Sequence, residues 1–138
     1  MKSLVSQIRI HKWNVDEARR RLADLERLAA RLAEDLSALD LEMTREREVA
    51  GRSSEAATTY HDYIAAALRR QETLRRSIAE VDSQLEQARG ELQEAFSTLK
   101  KFELAAQTID LRARKARAAR DVRAQDEVAL SMYRRKDA

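Results

Sequence analysis

The sequence predicts an all-α fold: a long antiparallel two-helix coiled-coil hairpin with a protruding C-terminal helical segment. Three observations support this prediction. The 138 residues contain no proline and only two glycines, so little interrupts a helix. Charged residues make up 37% and aromatics 4%, a composition typical of long helices rather than of a thick globular core. Two runs of apolar residues with heptad spacing lie on either side of a polar stretch.

The first helix is expected over about residues 3–50. Its apolar positions are separated alternately by four and three residues, which is the spacing of a coiled-coil seam. They are Leu4, Ile8, His11, Val15, Ala18, Leu22, Leu25, Ala29, Leu32, Leu36, Leu39 and Met43. This pattern lasts for more than five heptads, so it predicts one uninterrupted helix.

A turn is expected over about residues 51–59, because Gly51 and four hydroxyl residues form the only turn signal in the middle of the chain. Thr58 or Thr59 is the expected N-cap of the second helix. The second helix is then expected over about residues 60–134. Its seam positions are Tyr60, Ile64, Ala67, Gln71, Leu74, Ile78, Val81, Leu85, Ala88, Leu92, Ala95, Leu99, Phe102, Ala106 and Ile109.

The two runs are complementary when the chain folds back on itself near residue 55. Facing residue numbers then add to about 110, and most alanines face a larger side chain, as in the Met43–Ala67 layer. The same register predicts five cross-helix ion pairs, namely Lys12–Glu103, Arg21–Glu91, Glu26–Arg89, Asp40–Arg75 and Glu42–Arg70. This self-consistency predicts one hairpin domain over residues 1–138 that is a monomer on its own. About thirty C-terminal residues would extend beyond the first helix.

The sequence contains few residues or motifs of the kinds that support catalysis or metal binding. The chain has no glycine-rich phosphate loop and no cysteine, and its histidines, His11 and His61, are far apart in the sequence. We therefore expect no enzyme activity, no cofactor and no metal site. The opening Met1–Lys12 has no apolar core of a secretory signal, and no run is long enough to span a bilayer. These features predict a cytoplasmic protein.

Three features are candidate contacts with other molecules. Trp13 lies at a heptad position that points away from the seam, and Ile10 lies nearby; an exposed tryptophan is a natural interface anchor. Tyr60 and Tyr63 lie beside the expected hairpin tip. The basic run comprises Arg112, Arg114, Lys115, Arg117, Arg120 and Arg123. We interpret this run as a docking site for an acidic protein surface rather than for nucleic acid, because a basic leucine zipper has the opposite arrangement.

The order of short motifs along the chain resembles the FliJ family of the flagellar type III export apparatus. Leu4-x-x-x-Ile8-Arg9 opens the chain and Asp16-Glu17-Ala18-Arg19-Arg20 follows. Tyr60-x-x-Tyr63-Ile64 begins the second run, and Asp126-Glu127-x-Ala129 lies near the end. The resemblance covers nearly the whole chain.

The resemblance implies a non-catalytic stalk that binds in the hexameric export ATPase ring and promotes its assembly and activity. It also implies links to the cytoplasmic domain of the membrane export gate and to export chaperones, at the inner face of the membrane. On this reading the ATPase contacts are Ile10, Trp13 and the basic run, and the gate contacts are Tyr60, Tyr63 and Ala67. The alternatives are the stalk of a virulence secretion system and a self-associating structural coiled coil.

Overall fold

The computed structural model describes residues 2–137, and these residues form two long helices. Helix α1 is Lys2–Ala50 and helix α2 is Ser54–Asp137. No strand occurs among the described residues, so the predicted all-α helical hairpin is confirmed. The chain divides into two compact units. The hairpin unit is Asn14–Ala95, and the terminal unit comprises Met1–Trp13 and Phe96–Ala138, of which residues 2–13 and 96–137 are described.

The connection between the helices is only three residues long, shorter than the sequence suggested. Ser53 ends it by capping α2: its side-chain oxygen accepts a hydrogen bond from the Ala56 backbone N–H at 3.1 Å. This bond satisfies one of the N–H groups that lack a partner at the start of a helix. Helix α2 therefore begins six residues before the expected Tyr60.

The expectation that Thr58 or Thr59 caps α2 is wrong. Both residues lie inside the helix, and their hydroxyls donate to the carbonyl oxygens four residues earlier, at 3.0 Å for Thr58 and 3.2 Å for Thr59. Threonine hydroxyls in helices commonly make this backward bond. Ser53 is the earliest hydroxyl residue after Gly51, and a cap there adds about one and a half turns of helix.

The helices in the hairpin unit are antiparallel and packed in the predicted register. Leu39, Met43 and Ala67 are buried in one cluster, against which Tyr63, Ile64 and Leu74 pack. Further from the turn, Arg21 forms an ion pair with Glu91 at 3.4 Å. In these contacts, residues with higher numbers in α1 lie opposite residues with lower numbers in α2, as in an antiparallel pair.

Arg21–Glu91 is one of the five predicted cross-helix ion pairs, and the other four do not form among residues 2–137. Asp40 instead accepts a hydrogen bond from the Gln71 side chain at 2.8 Å, and Glu103 pairs with Lys100 on its own helix at 3.5 Å. Partners three or four residues apart on one helix are already neighbours. Ion pairs within one helix therefore compete with ion pairs between α1 and α2.

In the terminal unit, the described part of α1 pairs with α2 through an aromatic contact. The His11 and Phe102 rings are stacked, with centroids 4.5 Å apart and 25° between their planes. The sequence had placed Phe102 opposite Ile8, so the stack lies one helical turn from the expected layer. Beyond Ala113, every described residue of α2 from Arg114 to Asp137 is exposed. This is the predicted C-terminal helical segment.

Candidate interaction surfaces

The tip surface consists of Tyr60 and Tyr63, on the first turns of α2. Their rings are tilted against each other with centroids 6.4 Å apart, and both side chains are half-buried. Because Ser53 caps α2 early, both tyrosines lie on regular helix rather than at its end. The tip therefore presents a small, ordered aromatic surface.

The Tyr63 hydroxyl is buried and has no partner in hydrogen-bond geometry. Burial raises the pKa of Tyr63, and the nearby Glu42 carboxylate, with a smaller effect from Glu46, raises it further. Glu42 is close enough to act on the charge of the phenol, although the geometry of a normal hydrogen bond is not met. Tyr63 is therefore neutral at physiological pH and carries an unused donor beside acidic groups.

Ala67, which the sequence placed with the tip contacts, does not lie on the surface. It is only 5% exposed and belongs to the buried cluster with Leu39 and Met43. Its seam position explains this burial, because a small residue there lets the Met43 side chain fill the space between the helices. Ala67 supports the tip from inside and offers no surface to a partner.

Ile10 and Trp13, in the terminal unit, lie on the surface as predicted. Ile10 is 53% exposed and Trp13 is 62% exposed. Large apolar side chains with so much solvent contact are candidates for an interface. Burying the indole ring against a partner would remove a large apolar area from water.

The basic run of the terminal unit also lies on the surface. All six of its cationic residues are exposed, and Arg114 pairs with Asp110 one turn earlier at 3.0 Å. Ala113, Ala116 and Arg120 continue the stripe that faces α1, because successive helical residues rotate by about 100°. Past the N-terminal residues of α1, this face of α2 therefore carries two cationic side chains, Arg120 and Arg123.

The opposite face of the same helix carries a second apolar stripe, whose N-terminal half, from Leu104 to Ala118, the sequence did not predict. We call it the outward stripe; it consists of Leu104, Leu111, Ala118, Val122, Ala129 and Met132. Its large members are more than half exposed, from 51% for Leu111 to 63% for Met132. The signal that could have revealed it is heptad spacing that begins at Leu104, while α2 still faces α1. That signal was hidden by the stronger inner seam.

The described residues offer little for chemistry. No group of three or more histidine, cysteine or acidic residues in residues 2–137 is arranged to hold a metal ion. His11 is held in the stack with Phe102, and His61 is exposed near the tip. Among the described residues, neither helix has an apolar stretch long enough to cross a membrane. The surfaces above are suited to binding other macromolecules.

Comparison with known proteins gave one informative match. A family model described as "Flagellar FliJ protein" matches residues 1–138. No curated protein and no solved structure matches the chain significantly.

Proposed function

Because the chain belongs to the flagellar FliJ protein family, we propose that it is the non-catalytic stalk of the hexameric export ATPase. Family membership assigns the chain to the flagellar type III protein export apparatus. The finer proposal is that the terminal unit binds in the ATPase ring, promotes its assembly and raises its activity. The same membership favours a flagellar over a virulence system.

The observation that carries this proposal is the exposed C-terminal segment of the terminal unit. From Arg114 to Asp137 every residue is exposed, and the face that would continue the seam with α1 carries Arg120 and Arg123. A helix with such a face is suited to an acidic surface. Trp13 and Ile10 add exposed apolar anchors in the same unit.

We assign the second contact to the tip. Tyr60 and Tyr63 would bind the cytoplasmic domain of the export gate, with Ala67 holding the helices together beneath them. A buried neutral phenol beside Glu42 is ready to donate a hydrogen bond if a partner places an acceptor there. These contacts, together with export chaperones, would hold the protein at the inner face of the membrane.

The proposal is tested by the turnover rate of the cognate export ATPase, measured with substoichiometric amounts of this protein. We expect stimulation together with a larger fraction of hexamer. The variant Trp13→Ala, Arg114→Glu, Arg117→Glu should lose most of the stimulation, because it removes an anchor and reverses two charges.

A matched control carries the same kinds of change in the hairpin unit. Leu41→Ala, Arg31→Glu and Arg45→Glu alter exposed side chains of α1 and should leave stimulation unchanged. If both variants lost stimulation equally, the loss would be explained by the change in net charge rather than by a specific contact. No stimulation by the unmodified protein would move the assignment to a self-associating structural coiled coil.

A further inference from the structure

We propose that the outward stripe of α2 binds an amphipathic α-helix with acidic flanks, supplied by another protein. The stripe runs from Leu104 to Met132 on the face turned away from α1. This site is separate from Arg117 and Arg120 of the proposed ATPase contact, which lie on the other side of the helix. The two sites share Arg112, Arg114 and Lys115 of the basic run, which lie on or beside the stripe.

The spacing of the stripe favours a helix as its partner. Its members are separated by seven, seven, four, seven and three residues, so they form a narrow seam over four heptads. Exposed side chains along it include Leu104 at 60% and Val122 at 56%. A shallow apolar groove lined by Ala124, Gln125, Val128, Ala129 and Met132 lies at its C-terminal end.

The charges beside the stripe indicate an acidic partner. Lys101, Arg112, Arg114 and Lys115 lie on or beside its first half. Of these, Lys101, Arg112 and Lys115 form no ion pair with any residue in 2–137. A helix with glutamates flanking its apolar seam would meet these cations as it covers Leu104 and Leu111.

A bilayer and a parallel second copy of the chain fit the stripe less well. Thr108, Lys115 and Gln125 interrupt the stripe at heptad positions, where a coiled coil tolerates polar side chains but the acyl region of a membrane does not. A parallel second copy would set Lys115 against its own counterpart. Like charges oppose this parallel arrangement.

The proposal is tested with the full chain and a labelled 28-residue probe peptide that has Leu at heptad positions a and d and Glu at e and g. Fluorescence anisotropy should show saturable binding that weakens at high salt. The same peptide with Lys in place of Glu should bind at least tenfold more weakly. Leu111→Glu combined with Val122→Glu should weaken binding of the acidic peptide at least tenfold.

The matched control is Ala116→Glu combined with Ser131→Glu, which adds the same two charges on the face opposite the stripe. Its Kd should stay within twofold of the unmodified protein. Circular dichroism should show unchanged helix content in both variants, since all four positions are exposed.

Several results would overturn the proposal. Equal affinity for the two peptides would show that the site has no preference for acidic flanks. Equal weakening by the two double variants would show that the peptide does not bind at the stripe. Binding to phosphatidylglycerol vesicles that is lost only with the Leu111 and Val122 changes would assign the stripe to a membrane. A concentration-dependent dimer lost with those changes would assign it to a second copy. None of these results depends on ATPase stimulation.

Discussion

His11 and Phe102 form a stacked pair that joins the two helices of the terminal unit, with ring centroids 4.5 Å apart. Stacking removes one face of each ring from water and brings the two π systems into contact. A double-mutant cycle with His11→Ala and Phe102→Ala should therefore give a coupling free energy of about 0.5–1.5 kcal/mol in thermal or denaturant unfolding.

The control cycle pairs Phe102→Ala with Ser131→Ala, a change at an exposed position more than eight turns further along α2. That cycle should be additive to within about 0.5 kcal/mol. His11→Phe should keep most of the coupling, because a phenyl ring also stacks. Additive behaviour of His11 and Phe102 would show that their contact contributes nothing to stability.

The inner seam was predictable because its signal is long and regular. All twelve predicted seam residues of α1, from Leu4 to Met43, are buried or half-buried. In α2 the same holds except at Ile109, which is 41% exposed near the end of the seam. Heptad spacing reports which face is buried, and the residue order then fixes the antiparallel register.

The predictions that were wrong concern the cap of α2 and the cross-helix ion pairs. Both depend on competition between neighbouring groups, which heptad spacing does not report. Ser53, Thr58 and Thr59 are all residue types that cap helices, and the hydrogen bond from the Ala56 N–H identifies Ser53 as the cap. Local partners such as Lys100 replaced a predicted cross-helix partner of Glu103. Exposed apolar side chains were predictable where a residue breaks the seam pattern, as Trp13 does, and were missed where a second pattern overlaps the first.

Ser53 is expected to stabilise the protein through its cap on α2. Ser53→Ala should lower the free energy of unfolding by about 1 kcal/mol, because the Ala56 N–H loses its side-chain acceptor. Thermal unfolding followed by circular dichroism measures the change. Thr58→Ala is the matched control and should change the unfolding free energy by less than about 0.5 kcal/mol, since its hydroxyl only bonds back to Ser54. A larger loss at Thr58 than at Ser53 would contradict the observed cap.

Gly90 is expected to be replaceable by alanine with a gain in stability. Beyond its chain neighbours and the backbone of its own helix, a Cβ at this position would meet nothing within 4 Å. The backbone has no positive φ there, and the residue lies inside α2. Gly90→Ala should raise the unfolding free energy by about 0.5–1 kcal/mol, because glycine loses more backbone entropy in a helix. This corresponds to a rise in Tm of about 3 °C. An unchanged or lowered Tm would indicate that this part of α2 needs the flexibility of glycine.

Tyr63 should make the hairpin sensitive to alkali. Its folded-state pKa is raised above the ordinary value of about 10 by burial and by Glu42. Folding therefore favours the neutral phenol: this contribution is fully present below the unfolded pKa and is lost as pH rises through the folded pKa. Tyr63→Phe should reduce the fall in Tm above about pH 10, because phenylalanine cannot ionise.

Two comparisons separate this effect from general alkaline denaturation. Glu42→Gln should make the alkaline loss of Tm associated with Tyr63 smaller, because removing this carboxylate lowers the folded-state pKa toward the unfolded value. Tyr133→Phe, which alters an exposed tyrosine at 67%, should leave the alkaline profile unchanged. Identical alkaline profiles for Tyr63→Phe and the unmodified protein would show that ionisation of Tyr63 does not affect folding.

Trp13 should report binding of the export ATPase, because it is the single tryptophan of the chain and is 62% exposed. With a tryptophan-free ATPase preparation, complex formation should shift the Trp13 emission to shorter wavelength and reduce quenching by acrylamide, since the indole leaves water. The variant Arg114→Glu, Arg117→Glu keeps the reporter and should require a higher ATPase concentration for the same shift. The Arg31→Glu, Arg45→Glu variant should titrate like the unmodified protein. If ATPase turnover were stimulated but the Trp13 emission did not change, the stalk function would be supported and Trp13 would be excluded from the contact.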